Sequence, residues 1–442
     1  MSFQNMTFTS QCVAIGLLLF GIQNTSASAN EISNFQDALA KVQQYQSQFE
    51  LQQQRQQLAI LNTQNSSLWQ NPTFSIEQNG FSSSQEQELS VGISQPLDLF
   101  GQRKLNQEIA SISKQQLQLK EQLWQAQSEM VVKYAWAQYL LSETETSIFA
   151  KQMKVSQANL DSANKRYQAG SIALVDYERA QIDHLEIQRQ YQQALLALQA
   201  SQRQLSNLWG ESQPSLSVQS NKVVWPSEIE RSVEKNIQHG WLEKLYALNM
   251  QQSQQKVESL KIKNRPQPTL NLGMTQTKSS QSSDETTLVL GVEVPLNIFN
   301  RQQYVIPMAE RQQQLLTQIQ QRELKQQILD IENRLNELKG LRQQYDAINT
   351  QIQLSEKVQS RTLQGFQAGK FSVTDIQQIS LQLQNLRVAQ LQILKQAWQI
   401  GLSVEALSLG TSYEEISQSN AYSQLNKKAF VETQNLLNGQ GE

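Results

Sequence analysis

Apolar and polar residues alternate strictly in two places along the chain. Phe74 and Ile76 are followed by a Gly/Ser/Gln-rich turn and then by Leu89, Val91 and Ile93, with Glu88, Ser90 and Ser94 between them. The alternation returns at Leu270, Leu272 and Met274 and, past a Ser-rich loop from Lys278 to Glu285, at Leu288, Leu290, Val292 and Val294. Period two with a polar loop between the runs predicts a β-hairpin over residues 73–95 and another over 269–294. Proline has no N–H to give a ladder, so Pro96 and Pro295 end the second strand of each. With Gly101 they mark the strand-to-helix transitions.

Beyond each hairpin the period changes. Leu123, Met130, Tyr134, Ala137, Leu141, Ile148 and Val155 step by sevens, fours and threes, and Leu324, Ile328, Ile331, Leu335, Leu338, Tyr345 and Ile352 repeat the spacing. A sustained period near 3.5 is the coiled-coil pattern, and about 65 such residues would reach nearly 100 Å. Gly170 and Gly369 break the helices, and return helices run to Gly210 and Gly410. Pro307 lies at the start of the second long helix and should kink it or delay its onset.

The two patterns are copies. Pro96-Leu97 and Pro295-Leu296 are 295 − 96 = 199 residues apart, and the Gln-Ala-Gly turns at Gly170 and Gly369 keep the same step. A shared offset at separate motifs means duplication of a domain-sized unit. The expected organisation is a signal peptide over 1–29, a first repeat over 30–210 and a linker with little regular structure over 211–240. A second repeat over 241–410 and a polar, partly disordered tail over 411–442 complete it. The leader expectation rests on the apolar run Cys12 to Ile22 followed by Ala27-Ser28-Ala29, a small-x-small cleavage pattern, although no Lys or Arg precedes the run.

Four short strands cannot close a barrel, and an open sheet cannot lie in lipid with unpaired edges. Three copies would supply twelve strands, an even number in the known range. The expected fold class is therefore an α+β membrane protein, a trimeric 12-stranded β-barrel continued by a long α-helical coiled-coil barrel. Leu288, Leu290 and Val292 would face lipid, and Gly291 and Glu293 a wet lumen. A soluble coiled-coil scaffold carrying two flaps is the alternative of another class.

Composition narrows the chemistry. In 442 residues, Lys+Arg 37 against Asp+Glu 39 give a net charge of −2, which argues against nucleic acid as the main partner. One cysteine and two histidines exclude a disulfide framework and a Cys/His zinc site. His184 and His239 read as solvated residues, and no catalytic triad, phosphate loop or His-x-x-x-His pair occurs. No enzyme activity, cofactor or metal is expected.

Several segments resemble one family. "SQPLDLFGQR" (Ser94 to Arg103) and its echo "VPLNIFNRQ" (Val294 to Gln302), with the turns "RYQAGSIALVDYERAQ" and "GFQAGKFSVTDIQQIS", look like the TolC-type outer-membrane efflux proteins. "DETTLVLGVEVPLNIFNRQ" and "LSNLWG" are most similar to the CzcC-like branch, which serves heavy-metal cation export. The resemblance implies a passive homotrimeric outer-membrane duct with a large periplasmic portion, a periplasmic adaptor and an inner-membrane RND-type transporter. A drug-efflux or type I secretion duct of the same shape is the alternative within transport.

The resemblance also places the two turns at the periplasmic end. Tyr167, Gly170, Phe366 and Gly369 become candidates for adaptor docking, although a glycine there is equally a helix C-cap. Asp176 and Asp375 become candidates for a periplasmic gate. Ser372-x-x-Asp375 also reads as a helix cap, and the second acid the family carries three positions further on is Gln378 here.

Overall fold

The computed structural model describes residues 32–81, 86–212, 224–278, 283–368 and 370–438. The proposed leader therefore lies outside the described residues, as do Gly369 and the middle of the 211–240 segment. The side chain of Phe366 is outside them too. In the first repeat, α1 (Phe35–Ser47) and α2 (Leu51–Asn65) lead into β1 (Thr73–Asn79) and β2 (Gln87–Pro96). Then come α3 (Gln102–Gln168), the longest element, and its return helix α4 (Leu174–Asn207). After α5 (Ile229–His239), which falls in the 211–240 segment, come α6 (Trp241–Lys263), β3 (Thr269–Lys278), β4 (Glu285–Glu293), α7 (Val305–Gln367) and α8 (Val373–Ser408).

The two strand pairs form one antiparallel sheet in the order β1-β2-β3-β4, so the repeats join where β2 pairs with β3. At α7 the counterpart of Gln102 would be Arg301 (102 + 199), yet the helix starts at Val305. Pro307 then falls in the first turn, where its missing N–H costs nothing.

Mid-length packing holds the long helices together. Met130 to Tyr139 of α3 meet Ala38 and Val42 of α1, Leu205 of α4 and Leu402 to Leu409 around the end of α8. A second cluster joins Leu141 to Ile229 and Val233 of α5, Ile331 and Leu338 of α7 and Leu391 and Leu394 of α8. The heptad seam is buried at Leu123, Met130, Ala137 and Leu141, whereas Val155 and Ile328 are exposed in the single chain. A partly buried ion pair also ties the repeats: Lys133 Nζ lies 2.6 Å from Oε2 of the buried Glu405.

Two expectations need correction. The 211–240 segment, expected to hold little regular structure, contains α5, an amphipathic helix whose Ile229 and Val233 are buried in the second core. The tail after Gly410 is not disordered over residues 411–438. It forms α9 (Tyr413–Ser417) and α10 (Ala421–Leu437), which bury Ile416, Leu425 and Leu436. A capping box from Ser412 and Glu415 starts α9, satisfying backbone N–H groups that a polar composition alone does not reveal.

Candidate functional site

The sheet presents two chemically opposite faces. Residues paired across neighbouring strands share a face. The register places Phe74, Ile93, Leu272 and Leu290 in one row and Ile76, Val91, Met274 and Leu288 in the next. Leu288 is 82% exposed and Leu290 72%, so this apolar surface has no cover within the chain. The other face carries Ser90 and Thr275, whose hydroxyls lie 2.9 Å apart, the glycines Gly92, Gly273 and Gly291, and the acids Glu77, Glu88, Glu285 and Glu293. β1 and β4 stand at the sheet's two edges.

Below the sheet the chain turns into helix with help from a residue that sequence reasoning missed. The Asp98 carboxylate accepts the N–H groups of Gln102 at 2.7 Å and Arg103 at 2.8 Å, capping α3, while Gly101 adopts φ +78°. The acid four residues before the helix was the available signal. In the second repeat Asn297 replaces it and donates instead to the Asn264 carbonyl at 2.6 Å. Beside the first transition, the Arg103 guanidinium lies 4.2 Å from the centroid of the exposed Trp69 ring.

The turns lie at the far end of helices spanning roughly 100 Å. Gly170 has φ +67°, and Ser171 N–H reaches back to the Arg166 carbonyl at 2.8 Å, a Schellman closure. The bond from Lys370 N–H to the Gly365 carbonyl, 2.7 Å, closes the second turn in the same way. Tyr167 stacks on Tyr177 with centroids 5.6 Å apart and planes at 8°, a partner the sequence did not suggest.

Asp176 and Asp375 sit in the first turns of α4 and α8, on separate hairpins. Asp176 is half-buried, and its Oδ1 lies 3.7 Å from Arg179 Nη1. Asp375 completes a capping box: its Oδ2 accepts the Ser372 hydroxyl at 2.6 Å and the Ser372 N–H at 2.7 Å. Those two bonds, the hydroxyl's first, hold its carboxyl below the ordinary value of 3.8. Between the two hairpins lies a cavity of about 260 Å³, bridged where Gln384 Nε2 meets Gln190 Oε1 at 3.3 Å. His184 Nδ1 is 3.0 Å from the Ser156 hydroxyl, and His239 stacks on Trp241. Among the described residues no three His, Cys, Asp or Glu side chains gather as metal ligands, and no helix is long and apolar enough to cross a membrane.

This architecture matches solved structures over most of its length. The CusC structure, described in terms of folding and transmembrane channel formation, superposes with a TM-score of 0.65 at 15% identity, covering 86% of this chain and 93% of that one. The chain has the TolC-type outer-membrane efflux channel fold. VceC of Vibrio cholerae (TM-score 0.64, 13% identity, 86% and 96% covered) shares the TolC-type fold. So does the CmeC outer membrane channel of Campylobacter jejuni (0.60, 13%, 96% and 98%). By sequence, the chain is 24% identical over 274 residues to the cobalt-zinc-cadmium resistance protein CzcC of Cupriavidus metallidurans. That match spans 61% of this chain and 64% of the relative's length. No protein-family profile matches the chain. TolC-type channels are a non-enzymatic family.

Proposed function

We propose that three copies of the chain close their sheets into one twelve-stranded barrel in the outer membrane and extend their helices into the periplasm as a continuous tube. The carrying observation is the uncovered apolar face of a sheet whose two edges end at β1 and β4. In lipid every backbone group needs a partner, so such a sheet must be completed by other copies. The assembled trimer is a passive exit duct. It completes a tripartite efflux pump with a periplasmic adaptor and an energised inner-membrane transporter of RND type, and residues 1–29 direct export. The cargo in this reading is heavy-metal cations, supported by the likeness to CzcC, whose name states cobalt, zinc and cadmium resistance.

Within this reading the turns have two tasks. Tyr167, Gly170, Phe366 and Gly369 form the tips offered to the adaptor. Asp375 and Asp176, at the first turns of the return helices, supply negative charge at the periplasmic mouth. The test is the mass of the detergent-purified protein: a species of three chains that conducts ions across a planar bilayer is expected. A stable monomer, or recovery in the soluble fraction without detergent, overturns the proposal.

A further inference from the structure

The helices that join the sheet keep the order of its strands. α2 packs on α3, α3 on α6 and α6 on α7, as β1, β2, β3 and β4 follow one another. The row therefore ends at α2 and α7, beside the same two open edges as the sheet. Its middle joint, α3 on α6, is where the two repeats meet, and it is polar. Gln116 Nε2 donates to Asn249 Oδ1 at 2.9 Å, and Gln252 Nε2 donates to the Ser113 hydroxyl at 2.9 Å. Gln116 and Gln252 are both buried there.

The duplication shows which surfaces lack that cover. Ile109 lies two turns before Gln116 on the same side of α3, and the 199-residue step turns the two into Met308 and Leu315 on α7. Both are more than half exposed, and with the exposed Ile319 they form one apolar stripe at spacings of seven and four. At the other end of the row, α2 turns Arg55 towards α3, where it pairs with Glu121. Leu61, about 120° away round the same helix, and Leu68, just past its end, are more than half exposed. A second copy of the chain presents the matching surface to each edge, since α7 of one molecule can meet α2 of the next. Such a head-to-tail contact closes into a ring.

We infer that α7 of one copy packs on α2 of the next as α3 packs on α6 within the chain, burying Met308 and Leu315 against Leu61 and its neighbours. The inference rests on the trimeric reading above and adds the helical surfaces through which the copies meet. α2 leads into the sheet and α7 leads out of it, antiparallel like α6 and α3. In the internal joint 113 stands opposite 252 and 116 opposite 249, so the same step sets Ile109 level with Lys256. Met308 takes the place of Ile109. Ile60 takes that of Lys256 by the step from Pro72 to Pro268 (268 − 72 = 196), which brings Met308 level with Ile60 and Leu61. The internal joint, already tied by the chain, can be polar. Separate molecules need the burial of apolar surface to associate, and the two edges supply it.

The test uses the full chain, purified in detergent in a Cys12→Ser background. Met308→Cys with Leu61→Cys, treated with a short bismaleimide, should give covalent dimers and trimers on a denaturing gel, and either change alone should give none. Met308→Cys with Leu51→Cys, about 15 Å further along α2, should give at least tenfold less. Leu315→Glu, at a position exposed in the single chain, should lower recovery of the trimer at least tenfold with helix content unchanged. A protein that is a trimer by mass overturns the joint, and leaves the channel reading standing, if the Met308/Leu61 pair does not link copies or links them no better than Met308/Leu51. Full assembly of Leu315→Glu does the same. A protein that is monomeric before any substitution overturns both.

Discussion

Gly92 and Gly273 stand opposite each other at the seam where β2 of the first repeat pairs with β3 of the second. A Cβ on Gly273 would lie 3.1 Å from the Val91 carbonyl oxygen, a backbone atom held in the ladder. On Gly92 it would meet the Ser75 hydroxyl at 3.1 Å, a side chain free to rotate. Gly291, the counterpart of Gly92 by the repeat offset (291 − 92 = 199), has only Asn271 Cβ at 3.8 Å. Replacing a strand glycine with alanine normally stabilises through the unfolded chain by about 0.4–1 kcal/mol. That gain should survive at Gly291 and reverse at Gly273, where overpacking costs about 1–3 kcal/mol. Thermal unfolding of the three alanine variants is expected to rank Gly291→Ala above Gly92→Ala above Gly273→Ala; equal effects would contradict the seam geometry.

Glu50 and Gly240 solve one problem in the two repeats with different residues. Each stands between two consecutive helices, α1–α2 and α5–α6, and each adopts the left-handed conformation, φ +49° at Glu50 and +59° at Gly240. A non-glycine residue there carries a cost of roughly 1–2 kcal/mol. Glu50→Gly is therefore expected to stabilise the protein by about 1 kcal/mol and Gly240→Ala to destabilise it by a similar amount, read from denaturant unfolding. Destabilisation by Glu50→Gly would show that its side chain does more than tolerate the bend.

The same pair explains how far the fold was legible. The strands and the long helices announce themselves, because Phe74 to Ile93 and Leu270 to Val292 keep period two and Met130 to Leu141 keep the helical seam. The break between α1 and α2 carries no glycine, so nothing in the residue types marks it. α10 was hidden differently. Its buried Ala421, Leu425 and Leu436 are spaced among Asn, Gln and Lys, and the polar majority masked a stripe that becomes apolar only against α3. In the candidate site, Asp375 was legible as a cap from Ser372-x-x-Asp375. Tyr177 was not, because it gains its meaning from the Tyr167 ring that only the folded turn brings near.

The Ser372–Asp375 box gives a signed pH dependence. Its bonds depress the Asp375 pKa below 3.8, so their stabilisation is fully present above that value and is lost as pH falls through the lower folded-state value. Ser372→Ala should raise the Asp375 pKa toward 3.8 and speed amide exchange in the first turn of α8 at neutral pH. The difference from the parent protein should shrink as pH falls below 3.8 and vanish once it is below the lowered folded-state value. Hydrogen exchange followed by mass spectrometry across that turn measures it. A difference that persists unchanged at the lowest pH would assign the effect to the Ser372 hydroxyl bond to the Asp375 N–H, 3.2 Å, without the carboxylate.

The two sheet faces make the sharpest demand on the membrane reading, because adjacent residues of β4 must respond oppositely to the same substitution. Leu290 pairs with Leu272 on the apolar face, while Val289, its neighbour, pairs with Gly273 on the polar one. If the apolar face meets lipid, arginine at Leu290 carries a charge into hydrocarbon at about 2–4 kcal/mol per chain near the bilayer midplane. Repeated in three copies, that penalty should abolish recovery of the trimer from outer membranes. Arginine at Val289 would point into water and cost little by desolvation. It should leave assembly intact and instead lower cation conductance by adding three positive charges to a lumen that carries Glu77, Glu88, Glu285 and Glu293. Quantitative membrane fractionation and single-channel recording of the two variants separate the outcomes. A Leu290→Arg protein that still assembles as well as Val289→Arg would mean that the apolar face is covered by something other than lipid.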